Sequence, residues 1–305
     1  MSFTAKDVMT LRERTGCGMM KCKDALTKAD GNMDKAIEIL RESGLAAQAK
    51  KAGRIAAEGA VYAEAYGNVG VIIEINSETD FVAKNDKFVS FVKAAAEAVA
   101  KYNPANVEAL LTCEGPEGTI DAMLKERILT IGENIKIRRF DRIEGVTVPY
   151  IHMDGKIATL VHFDTTAEIA ANPEFITMGK DVAMQVAALN APYLKPEDIP
   201  AEEIAKEKAI RVEQLKADPK NAKKPQNILD KIIEGGMGKY YKENCLLNQA
   251  FVKDDKMSVA EYVAKSAKAL GGDVKVVGFV RYERGEGLEK RNEDFAAEVA
   301  AQINK

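Results

Sequence analysis

Hydrophobic positions in the first 44 residues recur at helical spacing: Val8 and Leu11, then Met33, Ala36, Ile37 and Leu40. They predict three short helices, in "TAKDVMTLRERTG", "GMMKCKDALTKADG" and "NMDKAIEILRESG". Asn32 is placed to cap the third, and Gly31 and Gly44 fit C-terminal caps. The Ala/Lys-rich "LAAQAKKAG" at 45–53 follows as a connector, either a continuation of the helix or a tether.

Beyond the connector the pattern repeats itself. "YAEAYGNVGVIIEIN" (62–76) matches "YIHMDGKIATLVHFD" (150–164) 88 residues later, so that Tyr62 meets Tyr150, Gly67 meets Gly155 and Ile75 meets Phe163. Each copy reads as two strands joined by a tight turn at the glycine, a β-hairpin. "KFVSFVKAAAEAVAKYN" (87–103) matches "EFITMGKDVAMQVAALN" (174–190) at an offset of 87, both with the apolar face of a helix. "IGENIKIRRFDRIEG" (131–145) matches "LGGDVKVVGFVRYER" (270–284) at an offset of 139, pairing Ile137 with Val276, Phe140 with Phe279 and Arg142 with Arg281 in strand patterns.

The jump in offset places an insertion between 190 and 270, where two charged helical patterns flank a Pro/Lys-rich turn at 218–225. They predict an antiparallel helical hairpin projecting from the body. It reads either as a solvated decoration or as a docking or dimerisation arm whose apolar stripe needs a partner. A last helix, in "NEDFAAEVAAQINK", spaces Phe295, Val299 and Ile303 along one face. The expected fold class is α+β. A helical module (1–53) precedes a duplicated core, whose first subdomain spans 54–144 and whose second joins 145–189 to 230–282. The arm is inserted at 190–229, and a C-terminal module covers 283–305.

Composition narrows the functional classes. The 305 residues are 46% hydrophobic, enough for a core, and no stretch approaches the ~20 apolar residues that span a bilayer. The N-terminal segment lacks the apolar run of a signal peptide, so a cytoplasmic protein without a membrane partner is expected. Cys17, Cys22, Cys113 and Cys245 form neither a disulfide framework nor a zinc-site spacing, and reduced thiols are expected. A net charge of -3 gives no global basic footprint, which disfavours direct nucleic-acid binding.

Catalytic chemistry is not visible. The two histidines, His152 and His162, offer no nucleophile and orienting acid, and "IIEGGMGKYY" (232–241) fails as a phosphate-binding loop. Ile233 stands where that loop needs its first glycine and Tyr240 where it needs a Ser or Thr hydroxyl. Those glycines read instead as part of a helical segment. No enzyme, cofactor or metal site is expected.

The segment that stands out is "INSETDFVAKND" (75–86), a polar loop between a strand and a helix that carries Phe81 beside Asp80. Two readings stay open. Thr79 caps a short turn and Phe81 folds back as a hydrophobic staple, or Phe81 is held out for a partner's pocket as an interface anchor. The repeat bears on the choice, because Thr79, Asp80 and Phe81 align with Ala167, Glu168 and Ile169, and the second half has no aromatic there.

In "LRERTGCGMMKCKDAL", "KKAGRIAAEG", "TDFVAKND", "IGENIKIRR", "FVKDDKMSVAEYV" and "GFVRYERGEGLEK", in order over nearly the whole chain, the sequence resembles elongation factor Ts, the guanine-nucleotide exchange factor for elongation factor Tu. The resemblance implies a UBA-like three-helix module, two α+β core subdomains and a coiled-coil arm that could form a homodimer. It implies that Thr79, Asp80, Phe81 and Val82 enter the nucleotide domain of Tu, disturb the Mg²⁺ region and release GDP. Further partner contacts are implied at Arg12, Met19, Met20, Ile131, Gly132 and His152. The chain departs from shorter members at 103–119 and in the length and Pro content of the arm. Two other classes remain in view: an adaptor for ubiquitin-like proteins, suggested by the three-helix module alone, and a dimeric scaffold.

Overall fold

The computed structural model describes residues 3–217 and 224–289. The expected C-terminal helix and the centre of the arm's turn lie outside the described residues.

Three helices open the chain, α1 (Ala5–Thr15), α2 (Met19–Lys28) and α3 (Met33–Lys51). Thr4 and Asp7 form a reciprocal capping box on α1, and the Asn32 side chain accepts from the Lys35 amide at the start of α3. Gly31 closes α2 as expected, its N–H reaching Leu26 O at 2.9 Å. Gly44 does not cap α3, which runs on to Lys51, so the connector is helix rather than tether. The continuation is held by tertiary contact: Gly44 lies 3.4 Å, measured from an added Cβ, from the carbonyl oxygen of Lys125, and Ala47 packs between two apolar clusters. Packing thus overrides a local stop signal.

The first half of the core follows, with β1 (Glu58–Tyr66), β2 (Val69–Ser77), α4 (Asp86–Tyr102), α5 (Val107–Thr112), a short ribbon β3 (Glu114–Gly115) and β4 (Gly118–Thr119), α6 (Ile120–Ile131) and β5 (Lys136–Glu144). The second half has β6 (Val146–His152), β7 (Ile157–Asp164), α7 (Ala167–Ala170) and α8 (Pro173–Leu189). The arm helices α9 (Ala201–Ala217) and α10 (Gln226–Asn244) intervene. A ribbon, β8 (Ala250–Phe251) and β9 (Asp254–Ser258), then leads to α11 (Val259–Leu270) and β10 (Lys275–Glu283).

Both halves form three-stranded antiparallel sheets, ordered β1-β2-β5 and β6-β7-β10. The sequence offsets carry over into the strand pairing. Ile137 faces Ile75 and Phe140 faces Ile73, while Val276 faces Phe163 and Phe279 faces Val161. Each closing strand has one irregularity, at Arg138 in the first sheet and at Val277 in the second, the same position in the repeat. The hairpins differ. The first turns in two residues at Gly67 and Asn68, whereas the second needs 153–156, with Met153, Asp154 and Gly155 all at positive φ. Its register therefore shifts by two, which leaves every side chain on its original face.

Strand β2 is buried on both sides, which explains its nearly unbroken apolar run. Ile73 and Ile75 face α4 with Phe88, Phe91 and Val99, while Ile72 meets Ala158, Leu160 and Tyr282 of the other sheet. The stretch 103–119 joins the first core through buried Leu110, and Glu117 pairs with Arg127 at 2.9 Å. In the arm, Gly235, Gly236 and Gly238 lie inside α10, as the helical reading expected, and Gly236 sits against Arg211 of α9.

Candidate functional site

Strand β2 delivers the chain into the loop that follows Ser77 with its first polar residue, Glu74, firmly held. Glu74 is fully buried and accepts from Arg138, Arg139, Asn76 and the Gly285 amide. Burial pushes this carboxyl up, but the bonds from Gly285, Asn76 and the two arginines outweigh it and leave the carboxyl below its usual value. Arg139 also lies 4.1 Å over the ring of Tyr282, so the same cluster ties the end of β10 to the strand that feeds the loop.

The loop itself is braced at its base. The Thr79 amide donates to Glu133 Oε2 at 3.0 Å and the Thr79 hydroxyl to Glu133 Oε1 at 2.7 Å. One residue earlier, Glu78 accepts from the Asn134 amide at 2.6 Å and pairs with Arg54 at 3.2 Å. The Ser77 hydroxyl donates to Thr79 O at 2.9 Å. Two adjacent loop residues are thus latched to two adjacent residues of the α6–β5 junction.

Beyond this brace the chain makes a single 3₁₀ turn at Val82–Lys84, and Asn85 caps α4 by accepting from Lys87 and Phe88. Val82 is 5% exposed and belongs to the first core, but Phe81 is 83% exposed. Both arms of the staple reading fail. The Thr79 hydroxyl is spent on Glu133, the 3₁₀ turn has no side-chain cap, and Phe81 does not fold back. Because Val82 is anchored and the turn fixes the backbone, the preceding ring is held outward. Asp80 is exposed beside it, and its carbonyl accepts from the Ala83 amide.

Several other expected contact residues lie on or beside segments bonded to the end of α6, the element whose following residues brace the loop. The α6 helix ends at Ile131, half-buried against the first core, and Gly132 closes it in the left-handed region at φ 92°. Lys21 donates to Leu129 O at 2.7 Å and Lys51 to Ile128 O at 3.3 Å, cations on the carbonyl end of that helix. Lys21 lies beside Met19 and Met20 at the start of α2, where Met20 is 65% exposed. Gly16, whose N–H closes α1 on Arg12 O, touches the side chain of Lys87 in α4. Arg12 is exposed.

His152 is placed apart. It sits at the end of β6 in the second sheet, exposed, its Nδ1 3.1 Å from the Tyr150 hydroxyl and its ring stacked on that tyrosine. Among the described residues, neither the Thr79–Glu133 bonds nor the Lys21–Leu129 bond reaches it. Sequence reasoning missed Glu133, Glu78 and Glu74, whose roles depend on partners distant along the chain. The only local signal was that each lies within a segment already singled out.

Comparison with known proteins gives a consistent result. The family model described as Elongation factor TS matches residues 78–286. The chain is 47% identical to elongation factor Ts of Nitratiruptor sp., covering 99% of this chain and 100% of the relative. It is 46% identical to that of Trichlorobacter lovleyi over 99% and 98% of the two chains, and 45% identical to that of Halothermothrix orenii over the full length of both.

Proposed function

The chain belongs to the elongation factor Ts family, and on that footing we propose that it accelerates GDP release from elongation factor Tu by pressing Phe81 into the nucleotide domain of its partner. Family membership supports a nucleotide-exchange role in translation elongation; the wedge is the finer reading. The observation that carries it is a large aromatic side chain held in water on a braced loop. An exposed aromatic of this kind has the character of an interface anchor, and its removal from such a site typically costs ~2 kcal/mol or more.

Exchange of a bound nucleotide is noncovalent, so the work required is coupling rather than acid-base chemistry. If this chain weakens GDP binding by some ratio, GDP weakens binding of this chain by the same ratio. Each factor of ten needs ~1.4 kcal/mol, drawn from contacts made only with the nucleotide-loosened partner. Mg²⁺ and the phosphates it bridges are the strongest local charges in such a site, and disturbing their surroundings is an efficient way to loosen GDP.

In this reading Met19, Met20 and Arg12 of the UBA-like module, Ile131 and Gly132 beside the loop, and His152 on the second sheet hold the partner while Phe81 acts. Their exposure or placement at the surface of two sheets and a helical module is compatible with one broad contact. The arm serves as a coiled-coil dimerisation element, supported by the exposed Ile210, Ile228 and Ile232 on its two helices. The protein acts in the cytoplasm and needs no cofactor of its own. Size-exclusion chromatography with purified Tu tests the reading: a complex that forms without nucleotide and dissolves on addition of GDP is expected. A complex indifferent to GDP would leave only a scaffold.

A further inference from the structure

We infer that Glu133 is a positioning residue for exchange, which fixes the direction in which Phe81 projects by clamping the loop at Thr79. This inference rests on the exchange reading above and adds to it a residue that does not itself need to touch the partner.

The geometry is that of a two-point brace. Both oxygens of the Glu133 carboxylate are used on one residue, Oε2 for the backbone amide of Thr79 and Oε1 for its hydroxyl. A single bond would leave the loop free to turn about it; two bonds to one residue remove that rotation. Glu78 adds a second link one residue away by accepting from the Asn134 amide. The β2 end and the α6–β5 junction are thereby joined at two successive steps. Phe81 stands two residues beyond the clamp, and Val82, buried in the first core, pins the other side. Between these fixed points lie only Asp80 and Phe81, so a change at Glu133 is transmitted to the ring with little room for compensation.

The brace also links two parts of the proposed contact surface. Ile131 and Gly132 immediately precede Glu133 in sequence. A partner seated against the end of α6 therefore finds Phe81 at a set displacement from that point. Positioning of this kind contributes at the loosened state, when the ring must already be aimed, and contributes little to the first encounter. The second half lacks the device: Ala167 stands at the place of Thr79, with no hydroxyl, and Gly272 stands at the place of Glu133, with no carboxylate.

The test compares E133A, E133Q and T79V by stopped-flow release of a fluorescent GDP analogue from Tu, with the chain titrated to saturation. E133A removes both bonds and is expected to lower the maximal release rate about tenfold while leaving the half-saturating concentration nearly unchanged. E133Q recovers most of that loss, because the amide oxygen accepts from the Thr79 N–H while the amide nitrogen donates to the hydroxyl. T79V, which loses only the hydroxyl bond, falls between, and its effect is smaller on the E133A background than on the wild type. Hydrogen exchange in the free E133A chain should quicken over 77–85 and stay unchanged in β1.

A wild-type rate for E133A overturns the inference. So does an E133Q variant as slow as E133A, since that outcome assigns Glu133 a charge contact with the partner. Should E133A fail to fold, T79V decides alone: an unchanged maximal rate overturns the clamp. A wild-type chain that leaves GDP release unaccelerated is a different failure, because it removes the exchange reading itself.

Discussion

Phe81 and Ile169 occupy the same place in the two halves of the core, and they point to opposite environments. Ile169 packs against the second core, and its Cδ1 lies 2.5 Å from where a Cβ on Gly272 would stand. Phe81, 88 residues earlier, is 83% exposed. The fold therefore has a way to pack this position against a core, partly burying it, and does so once. In the first half the turn instead buries the next residue, Val82, and turns the aromatic outward.

The two neighbours should separate stability from activity. Val82→Ala empties part of the first core and is expected to cost about 1–2 kcal/mol, whereas Phe81→Ala is expected to change stability by less than ~0.5 kcal/mol. Urea unfolding followed by circular dichroism checks both.

The buried cluster at Glu74 should govern acid stability. Its folded carboxyl lies below the ordinary value of 4.5, so the unfolded chain binds the proton more readily. The contribution is complete above that ordinary value and is lost as pH falls through the depressed folded one. Glu74→Gln leaves Arg138 and Arg139 without their buried partner and should cost about 3 kcal/mol near neutral pH. The variant should also lose less stability than the wild type below pH 4.5, measured by urea unfolding at several pH values.

Helix α8 offers a test of packing between a helix and the second sheet. A Cβ on Gly179 would lie 2.6 Å from Val148 Cγ2, a branched side chain with little freedom to move. Gly→Ala in a helix interior ordinarily stabilises by ~1 kcal/mol. Here Gly179→Ala is expected to destabilise by about 1–3 kcal/mol through overpacking, and Gly179→Ala with Val148→Ala should recover part of the loss in thermal unfolding.

These residues mark what the sequence carried plainly and what it did not. The duplication was legible because side-chain period and offset are local records, and the partners of Ile137, Phe140, Val276 and Phe279 follow the offsets of 88 and 139. The length of the second hairpin loop was not, because a shift of two residues leaves the alternation of apolar positions unchanged. Gly44 carried a stop signal that contact with Lys125 overrides. Phe81 stands between buried Val82 and a Thr79 bonded to Glu133, 54 residues away, and no local pattern announces that bond.

The wedge is most directly tested by stopped-flow release of a fluorescent GDP analogue from Tu, driven by the wild-type chain and by Phe81→Ala. The variant is expected to retain binding to nucleotide-free Tu and to lose about 30-fold of the stimulated release rate, the equivalent of ~2 kcal/mol at an interface anchor. Asp80→Ala should move the rate in the same direction by less. Release accelerated by Phe81→Ala as strongly as by the wild type would contradict the proposed role of the ring.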